Sequence, residues 1–192
     1  LLKDGKRRSF SLANAPHDDE YLELHARNYP GGVFTEHVFT NMKVKDMLRF
    51  TGPLGSFFLR DTPEECSIIF LASGTGFAPI KSILEHVFHQ EGGRHRKRNM
   101  TLYWGARTKS DLYLADLADK WQREHDNFTF VPVLSEPLSS DNWQGRTGLV
   151  HQAVMHDFPS LETHQVYACG APVMVKAAYH DFITQCHLPR DA

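Results

Sequence analysis

Cysteines and long apolar runs are both scarce in this sequence. The 192 residues include three cysteines, Cys66, Cys169 and Cys186, which lie far apart and form no CxxC pair. This spacing excludes a four-cysteine zinc or iron–sulfur site here, and reduced thiols in the cytoplasm are the natural interpretation. The histidines are scattered as well, so no metal site is predicted. No apolar run approaches the roughly 20 residues of a bilayer-crossing helix, so we expect no membrane span.

An excess of charge of either sign is also missing. The formal net charge is -2 at pH 7, which gives no bulk reason to expect nucleic acid or an acidic membrane surface as a partner. Apolar residues make up 41% of the chain and charged residues 23%, which is the usage of an ordinary globular protein. The first residues lack both an initiator Met and a signal-peptide pattern, and we expect the chain to be cut from a longer protein.

The two halves of the chain differ in the period of their apolar residues. The first half alternates and is rich in turn signals, with one helix predicted over 33–42 and strands over 10–14, 21–28 and 46–59. The second half alternates apolar strands with amphipathic helices, predicted as strands 66–73, 100–106, 128–135 and 164–170 and helices 79–90, 110–125, 149–158 and 172–186. This alternation predicts an α/β doubly wound domain, in which a parallel sheet is covered on both faces and binds a nucleotide.

A glycine-rich turn, Gly74-Thr75-Gly76, lies between an apolar strand and an amphipathic helix. Glycines at such a turn let backbone N–H groups approach a pyrophosphate, and the following helix supplies positive potential. A purely steric need for glycine in a tight turn is the alternative. The turn lacks the third glycine of the dinucleotide fingerprint, so ordinary Rossmann binding is not the best match.

Two further segments carry chemistry-bearing residues. Cys169-Gly170-Ala171 follows another strand, on the sheet edge where open α/β sheets bind their ligands; the cysteine could instead pack as a small apolar residue. The segment 8–11 of the β-rich half has the sequence RSFS. On a strand, an arginine suits a phosphate, a flat aromatic suits an isoalloxazine ring, and a hydroxyl can hydrogen-bond a ring nitrogen.

The order of these motifs resembles a known family. RSFS, a PGG turn, GPLGSFFL, GTGFAP, YWGAR, VLSEP and CGAP follow one another along essentially the whole chain. This series is similar to the ferredoxin–NAD(P)H reductase superfamily, especially to oxygenase reductase components, CDP-6-deoxy-glucoseen reductases and NAD(P)H-flavin reductases. The resemblance implies part of an antiparallel β-barrel flavin-binding domain over residues 1–62, followed by an NAD(P)-binding α/β domain over residues 63–192. The family's opening barrel strands and its last aromatic-bearing strand are absent from this sequence.

The resemblance also implies flavin-binding residues. Arg8 would hold the flavin phosphate, Phe10 would lie beside the ring system, and Ser11 would act near the ring N5 as a catalytic residue. The strand with His25, Ala26 and Arg27 would contact the pyrimidine edge. The pyrophosphate would lie at the turn and helix start formed by Gly31, Gly32 and Thr35, which agrees with the general preference of anions for helix N-termini.

The nicotinamide nucleotide would bind the second half. The resemblance places its pyrophosphate at Gly74, Thr75 and Gly76, and its nicotinamide ring beside Cys169, Gly170 and Ala171, with Cys169 at the point where hydride passes. Ser135 and Glu136 end the third strand, and the Glu136 charge would repel the 2′-phosphate of NADPH and favour NADH. Arg107 and Lys109, at the neighbouring strand end, favour the opposite choice.

The resemblance implies an oxidoreductase that passes hydride from NADH or NADPH to FAD, with FMN less favoured. Electrons would then leave one at a time for a [2Fe-2S] centre, in an iron–sulfur protein or in a segment outside this sequence, since the cluster cysteines are missing here. Two alternatives remain open at this point. One is a reductase of free flavin, and the other is a non-catalytic nucleotide-binding module.

Overall fold

The computed structural model describes residues 7–61, 63, 65–90, 93 and 97–192. Its second half contains a parallel sheet whose strands are β1 (Ser67–Ser73), β2 (Met100–Ala106), β3 (Phe128–Leu134), β4 (Arg146–Thr147) and β5 (His164–Cys169). The strand order is β4-β3-β2-β1-β5, and every pairing is parallel. The chain therefore crosses the sheet in one direction from β1 to β4 and returns to the other side of β1 with β5.

The helices cover both faces of this sheet. They are α2 (Phe77–His89), α3 (Ala115–Glu124), α4 (Val150–Asp157) and α5 (Pro172–Gln185), whereas α1 (Val33–Glu36) lies in the first half of the chain. One face of β1 packs with α2 and α3 in an apolar cluster, and the opposite face packs with α4 and α5 in a second cluster. The doubly wound α/β prediction is confirmed. Within the described ranges, no helix has both the length and the apolar character that crossing a bilayer requires.

Alternation along β1 explains these two layers. Phe70 belongs to the first cluster together with Leu84 of α2 and Trp121 of α3. Its neighbour Leu71 belongs to the second cluster together with Phe182 of α5. Successive side chains of a strand point to opposite faces, so an uninterrupted apolar strand is the form required when helices cover both sides.

Two details of the second half differ from the predictions. The helix predicted over 110–125 begins at Ala115, because residues 109–111 form a separate 3₁₀ turn. Asp111 stabilises that turn, since its carboxylate accepts hydrogen bonds from the Thr108 backbone N–H at 3.3 Å and hydroxyl at 3.2 Å. The short strand β4 was not predicted, since two residues carry no readable alternation.

The strands predicted in the first half are wrong for the residues that the structure describes. Between residues 7 and 61 the pairing assigned is an isolated antiparallel bridge between Leu12 and Leu24. A strand requires a neighbouring chain that takes up its backbone hydrogen bonds, and alternation alone does not supply one. The helix predicted over 33–42 is confirmed, although it changes from α-helical to π-helical at His37.

The first half is attached to helix α2. Ala13 and Ala15 are fully buried, and between them the Asn14 carbonyl oxygen accepts a hydrogen bond from the Ser82 hydroxyl at 2.8 Å. The Asn14 side chain in turn accepts the Glu23 backbone N–H at 3.0 Å. These bonds fix two segments of the first half on the helix that follows the glycine-rich turn.

Candidate functional site

The carboxyl ends of β1 and β5 form the topological switch point of the sheet. After β1 the chain proceeds to β2 on one side, whereas β5 lies on the other side of β1. Open α/β sheets bind their ligands in the crevice at such a point. Both motifs predicted for the nicotinamide nucleotide lie here, because one directly follows β1 and the other ends β5.

The two motifs touch each other through their backbones. A Cβ atom added at Gly76 would overlap the Cys169 carbonyl oxygen, and one added at Gly170 would overlap the Ser73 hydroxyl. Gly170 also has a φ of +145°, which side chains rarely permit. The Ala171 N–H donates to the same Ser73 hydroxyl at 2.9 Å. The structure therefore brings the two glycine-containing loops into direct contact, as the order of the motifs predicts.

Buried aromatic rings support the loop of residues 74–76 from the core side. The indole N–H of Trp104 donates to the Gly74 carbonyl oxygen at 3.1 Å. The Trp104 ring is stacked on Phe77, the first residue of α2, with 4.0 Å between ring centroids. Both aromatic residues are completely buried, so the turn rests on the rigid core. Gly74 has a φ of +52° and open space where a Cβ would lie, which leaves its backbone accessible.

Cys169 presents a neutral thiol at the edge of the sheet. Burial raises the pKa of this thiol, and the hydrogen bond from the Gly170 backbone only partly offsets the increase. A thiol with a raised pKa stays protonated near neutral pH and is a poor nucleophile and a poor metal ligand. The Cys169 thiol is therefore suited to packing against an uncharged group.

A cavity of about 360 Å³ opens beside the glycine-rich turn. Its lining joins the turn, the strand predicted to contact the flavin and the loop after β2, namely Gly74, Thr75, His25, Ala26, Arg27, Ser110, Asp111 and Tyr113. Arg27 and Asp111 form an ion pair across these segments, with 3.3 Å between nitrogen and oxygen. This volume falls at the small end of ordinary ligand pockets. One segment predicted to contact the flavin, residues 25–27, and the glycine-rich turn thus line the same cavity.

Tyr113 is a site residue that the sequence analysis missed. Its hydroxyl lies 2.6 Å from His25 Nδ1, and its ring meets Trp104 edge-on at 5.2 Å. Burial raises the pKa of Tyr113, and the nearby Glu23 charge raises it further, so the hydroxyl remains protonated. The sequence does contain an indication of this site, the polar residues that follow β2. The helix predicted over 110–125 included them and so assigned them no role in the site.

Arg107, Ser135 and Glu136 meet at the neighbouring ends of β2 and β3. The Glu136 N–H donates to the Arg107 carbonyl oxygen at 2.9 Å, and the Ser135 N–H donates to Ala106. The Arg107 and Glu136 side chains are exposed, and their charged atoms lie 3.9 Å apart. The two groups predicted to favour opposite nucleotides therefore lie next to each other.

The residues of the flavin motif form a second group. Phe10 packs against Phe34 of α1, with 5.0 Å between ring centroids, and this contact places the RSFS segment beside the PGG turn. Arg8 and Ser11 are exposed. The Arg8 guanidinium donates to the Arg7 carbonyl oxygen at 3.0 Å, which leaves further N–H groups able to bind a phosphate.

The PGG turn is closed by its own hydrogen bonds. The Gly32 N–H donates to the Tyr29 carbonyl oxygen at 2.9 Å, and Gly31 has a φ of +75°, which suits the third position of a type II turn. The Thr35 hydroxyl donates to the Gly32 carbonyl oxygen at 3.1 Å. The predicted residues Gly31, Gly32 and Thr35 therefore form one compact turn at the start of α1.

Two family descriptions match the chain. Residues 2–59 match an oxidoreductase FAD-binding domain, and residues 70–180 match an oxidoreductase NAD-binding domain. The chain belongs to the FAD- and NAD-binding oxidoreductases of the ferredoxin reductase superfamily. The resemblance drawn from the sequence is confirmed.

Individual members of the superfamily are similar over nearly the whole chain. The CDP-6-deoxy-L-threo-D-glycero-4-hexulose-3-dehydrase reductase of Yersinia pestis is 43% identical over 183 residues, which are 95% of this chain and 53% of the relative. Terephthalate 1,2-dioxygenase reductase component 1 of Comamonas sp is 37% identical, over 92% of this chain and 50% of its own. The Amycolatopsis cytochrome P450 reductase GcoB superposes with a TM-score of 0.88 at 35% identity, over 99% of this chain and 56% of that structure. The chain spans about half the length of the curated relatives it matches.

Gly76→Ala tests the contact between the two loops. The added Cβ would overlap the Cys169 carbonyl oxygen, so we expect a loss of about 1–3 kcal/mol of unfolding free energy, the usual cost of overpacking, and weaker nicotinamide nucleotide binding. Urea unfolding and nucleotide titration measure the two effects. Gly52→Ala is the control, because the nearest atom to its Cβ is the Leu54 nitrogen at 3.9 Å. Unchanged stability and affinity in Gly76→Ala would contradict the close approach.

Proposed function

We propose that this chain is the flavin- and nicotinamide-binding part of a reductase that transfers hydride from NAD(P)H to FAD and then passes single electrons to a [2Fe-2S] centre. The supporting observation is that the β1 and β5 loops meet beside a cavity whose other wall includes residues 25–27, the segment predicted to contact the flavin. The cluster would belong to another protein or another segment, since a [2Fe-2S] cluster takes four cysteine ligands and this sequence has three cysteines. The printed names of the relatives, reductases of a dehydrase and of a dioxygenase, support this role.

The residues on the nucleotide side of the site would bind the nicotinamide nucleotide and orient its ring. The accessible backbone at Gly74, together with Thr75 and Gly76 at the start of α2, would bind the pyrophosphate through N–H groups. Gly170 removes side-chain bulk beside the Cys169 thiol, which would pack against the uncharged nicotinamide ring. The Ser73 hydroxyl holds the Ala171 N–H and thereby fixes the loop that lies beside the ring.

The flavin side combines one charged group with one compact turn. Arg8 and the PGG turn with Gly31, Gly32 and Thr35 would bind the pyrophosphate, while Phe10 would lie along the ring system. Ser11 would donate a hydrogen bond near the reacting ring nitrogen, and His25 and Arg27 would border the ring's pyrimidine edge. FAD supplies the chemistry that side chains lack, since it accepts hydride and releases electrons singly. The exposed Arg8 and the open cavity beside His25 fit this group.

We also propose the domain boundary and the location. Residues 1–62 would be the flavin-binding part and residues 63–192 the nicotinamide-binding part, which the family matches over 2–59 and 70–180 support. Three free cysteines support a reducing compartment, the cytoplasm. Glu136 supports NADH as the preferred donor.

An absorption spectrum of the purified full-length protein, followed by anaerobic addition of NADH, tests the proposal. We expect a flavin spectrum that bleaches when NADH is added, and an iron–sulfur acceptor should restore it. A colourless protein that oxidises NADH only with added flavin would instead identify a free-flavin reductase. Nucleotide binding without any NADH oxidation would identify a non-catalytic module and overturn the proposal.

Cys169→Ala tests the contact with the nicotinamide ring. We expect the rate of flavin reduction at saturating NADH to fall about tenfold, equivalent to about 1.4 kcal/mol of lost transition-state stabilisation, because the ring loses a packing surface. The KM for NADH should change by less than about threefold if the contact acts mainly in the transition state. Cys66→Ala is the control, because Cys66 lies at the opposite end of β1. Equal rates in wild type and Cys169→Ala would remove Cys169 from the catalytic residues.

Glu136→Ala tests the choice between nucleotides. The change removes a charge that would repel the 2′-phosphate and releases Arg107 from its ion pair at 3.9 Å. We expect kcat/KM for NADPH to rise about three- to fivefold relative to NADH, because a single exposed charge contact contributes at most about 1 kcal/mol. Glu162→Ala makes the same charge change in the exposed turn before β5, at the opposite sheet edge, and should leave the ratio unchanged. An unaltered ratio in Glu136→Ala would place the 2′-phosphate elsewhere.

A further inference from the structure

Lys81 is a buried cation whose hydrogen bonds join the two halves of the chain. Its side chain is 8% exposed. The ammonium group donates to the Ala13 carbonyl oxygen at 3.2 Å, to Glu23 at 2.9 Å and to Glu85 at 2.9 Å. An ammonium group has three N–H donors, and all three are used. Two of the three acceptors belong to the first half of the chain, whereas Lys81 and Glu85 lie on α2.

The charges in this cluster compensate one another. Burial by itself would lower the pKa of Lys81, yet the hydrogen bonds and charges of Glu85 and Glu23 hold it above its ordinary value. Burial by itself would raise the pKa of Glu23, yet the hydrogen bonds from His25 and Lys81 hold it below its ordinary value. Both groups are therefore charged across the neutral range. Removing Glu23 would leave the buried Lys81 ammonium group with one carboxylate partner fewer, which is costly for a buried charge.

A chain of hydrogen bonds extends this cluster to the cavity. The second carboxylate oxygen of Glu23 lies 2.8 Å from His25 Nε2, and His25 Nδ1 lies 2.6 Å from the Tyr113 hydroxyl. This series of hydrogen bonds thus begins on α2, crosses the first half through Glu23 and His25, and ends at Tyr113 after β2. His25 and Tyr113 both line the cavity.

The cluster lies close along the chain to both predicted reacting sites. Ala13 is two residues after Ser11, and Glu23 is two residues before His25. On the other side, Lys81 is five residues after Gly76, on the helix that this turn begins. The connection between the flavin segments and the nicotinamide loop is therefore short and made of directional hydrogen bonds.

We propose that Lys81 is a positioning residue, which together with Glu23 holds the flavin-binding half against the nicotinamide loop at the distance that hydride transfer needs. The inference rests on the proposed function, because it concerns the geometry of that same transfer. Transfer steps depend steeply on this geometry, and a misplacement of about 1 Å can cost about 100-fold in rate. Lys81 itself does not line the cavity and acts through Glu23 and His25.

The two carboxylates around Lys81 provide a matched comparison. Both lie 2.9 Å from its ammonium nitrogen, but Glu85 is on the same helix, one turn away, and Glu23 is in the flavin-binding half. Stopped-flow flavin reduction at saturating NADH is measured in FAD-loaded, full-length protein. We expect Glu23→Gln and Lys81→Met to slow reduction at least about tenfold, the effect of a sub-ångström displacement. Glu85→Gln should stay within twofold of wild type.

Controls separate positioning from general stability. Lys120→Met removes a lysine whose partner Glu124, at 3.8 Å, lies on the same helix α3, and should leave the rate unchanged. FAD content, the KM for NADH and the melting temperature are measured in parallel. We expect Lys81→Arg to recover part of the rate. The Lys81→Met, Glu23→Gln double variant should be no slower than Lys81→Met, because the two residues form one link.

Three outcomes would overturn the inference. Wild-type reduction rates in folded Glu23→Gln would show that the link does not set the geometry. Equal slowing in Glu23→Gln and Glu85→Gln would indicate a general role in stability. Slower reduction in Glu23→Gln that is accompanied by loss of FAD or by a lowered melting temperature would indicate the same. Failure of the proposed function itself is distinguishable, because wild-type flavin would then not bleach with NADH at all.

Discussion

The close approach of two loops at their glycines is the constraint on which the site depends. Gly76 and Gly170 face backbone and hydroxyl groups of each other's strands, where any Cβ would overlap them. This contact can form only at a switch point, where strands far apart in sequence become neighbours. It fixes where α2 and α5 begin, and it leaves the Gly74 backbone open toward the cavity. The close approach requires glycine at both positions, and Gly170 requires it also because of its φ of +145°.

The rigidity of this site comes from the core beneath it. Phe77 and Trp104 are stacked and fully buried, and Trp104 also binds the Gly74 carbonyl oxygen. Stacked aromatic rings bury large areas and tolerate little displacement. The position of the turn is therefore set by packing in the apolar cluster shared by α2 and α3. A change in that cluster would move the turn, and with it the N–H groups available to a nucleotide.

The sequence predicts the second half well because its signals are local. Each buried strand is a continuous apolar run, and each helix shows its own period, so β1 and α2 can be located without knowledge of their neighbours. The first half is predicted poorly, because the strands expected over 10–14, 21–28 and 46–59 need partner strands, and alternation of apolar residues does not supply them. The family resemblance adds candidate residues such as Arg8 there, which it selects through the order of the motifs. Tyr113 escapes both approaches, because its partner His25 lies 88 positions away.

The contrast between the two kinds of contact explains how such a site can be precise. The apolar clusters that support the nucleotide half take their members from Leu59 and later positions of the described chain. Leu59 and Phe57 of the first half take part in this apolar packing, Phe57 by meeting Tyr167 of β5 edge-on with 5.9 Å between ring centroids. The segment that carries Glu23 and Arg27 is instead joined to α2 and to the loop after β2 by ion pairs, at Lys81 and at Asp111. Apolar burial is non-directional and gives stability without specifying an angle, whereas charged hydrogen bonds have defined lengths and directions. A reaction between two ligands held by different halves needs a defined geometry more than additional stability, and polar links supply that geometry.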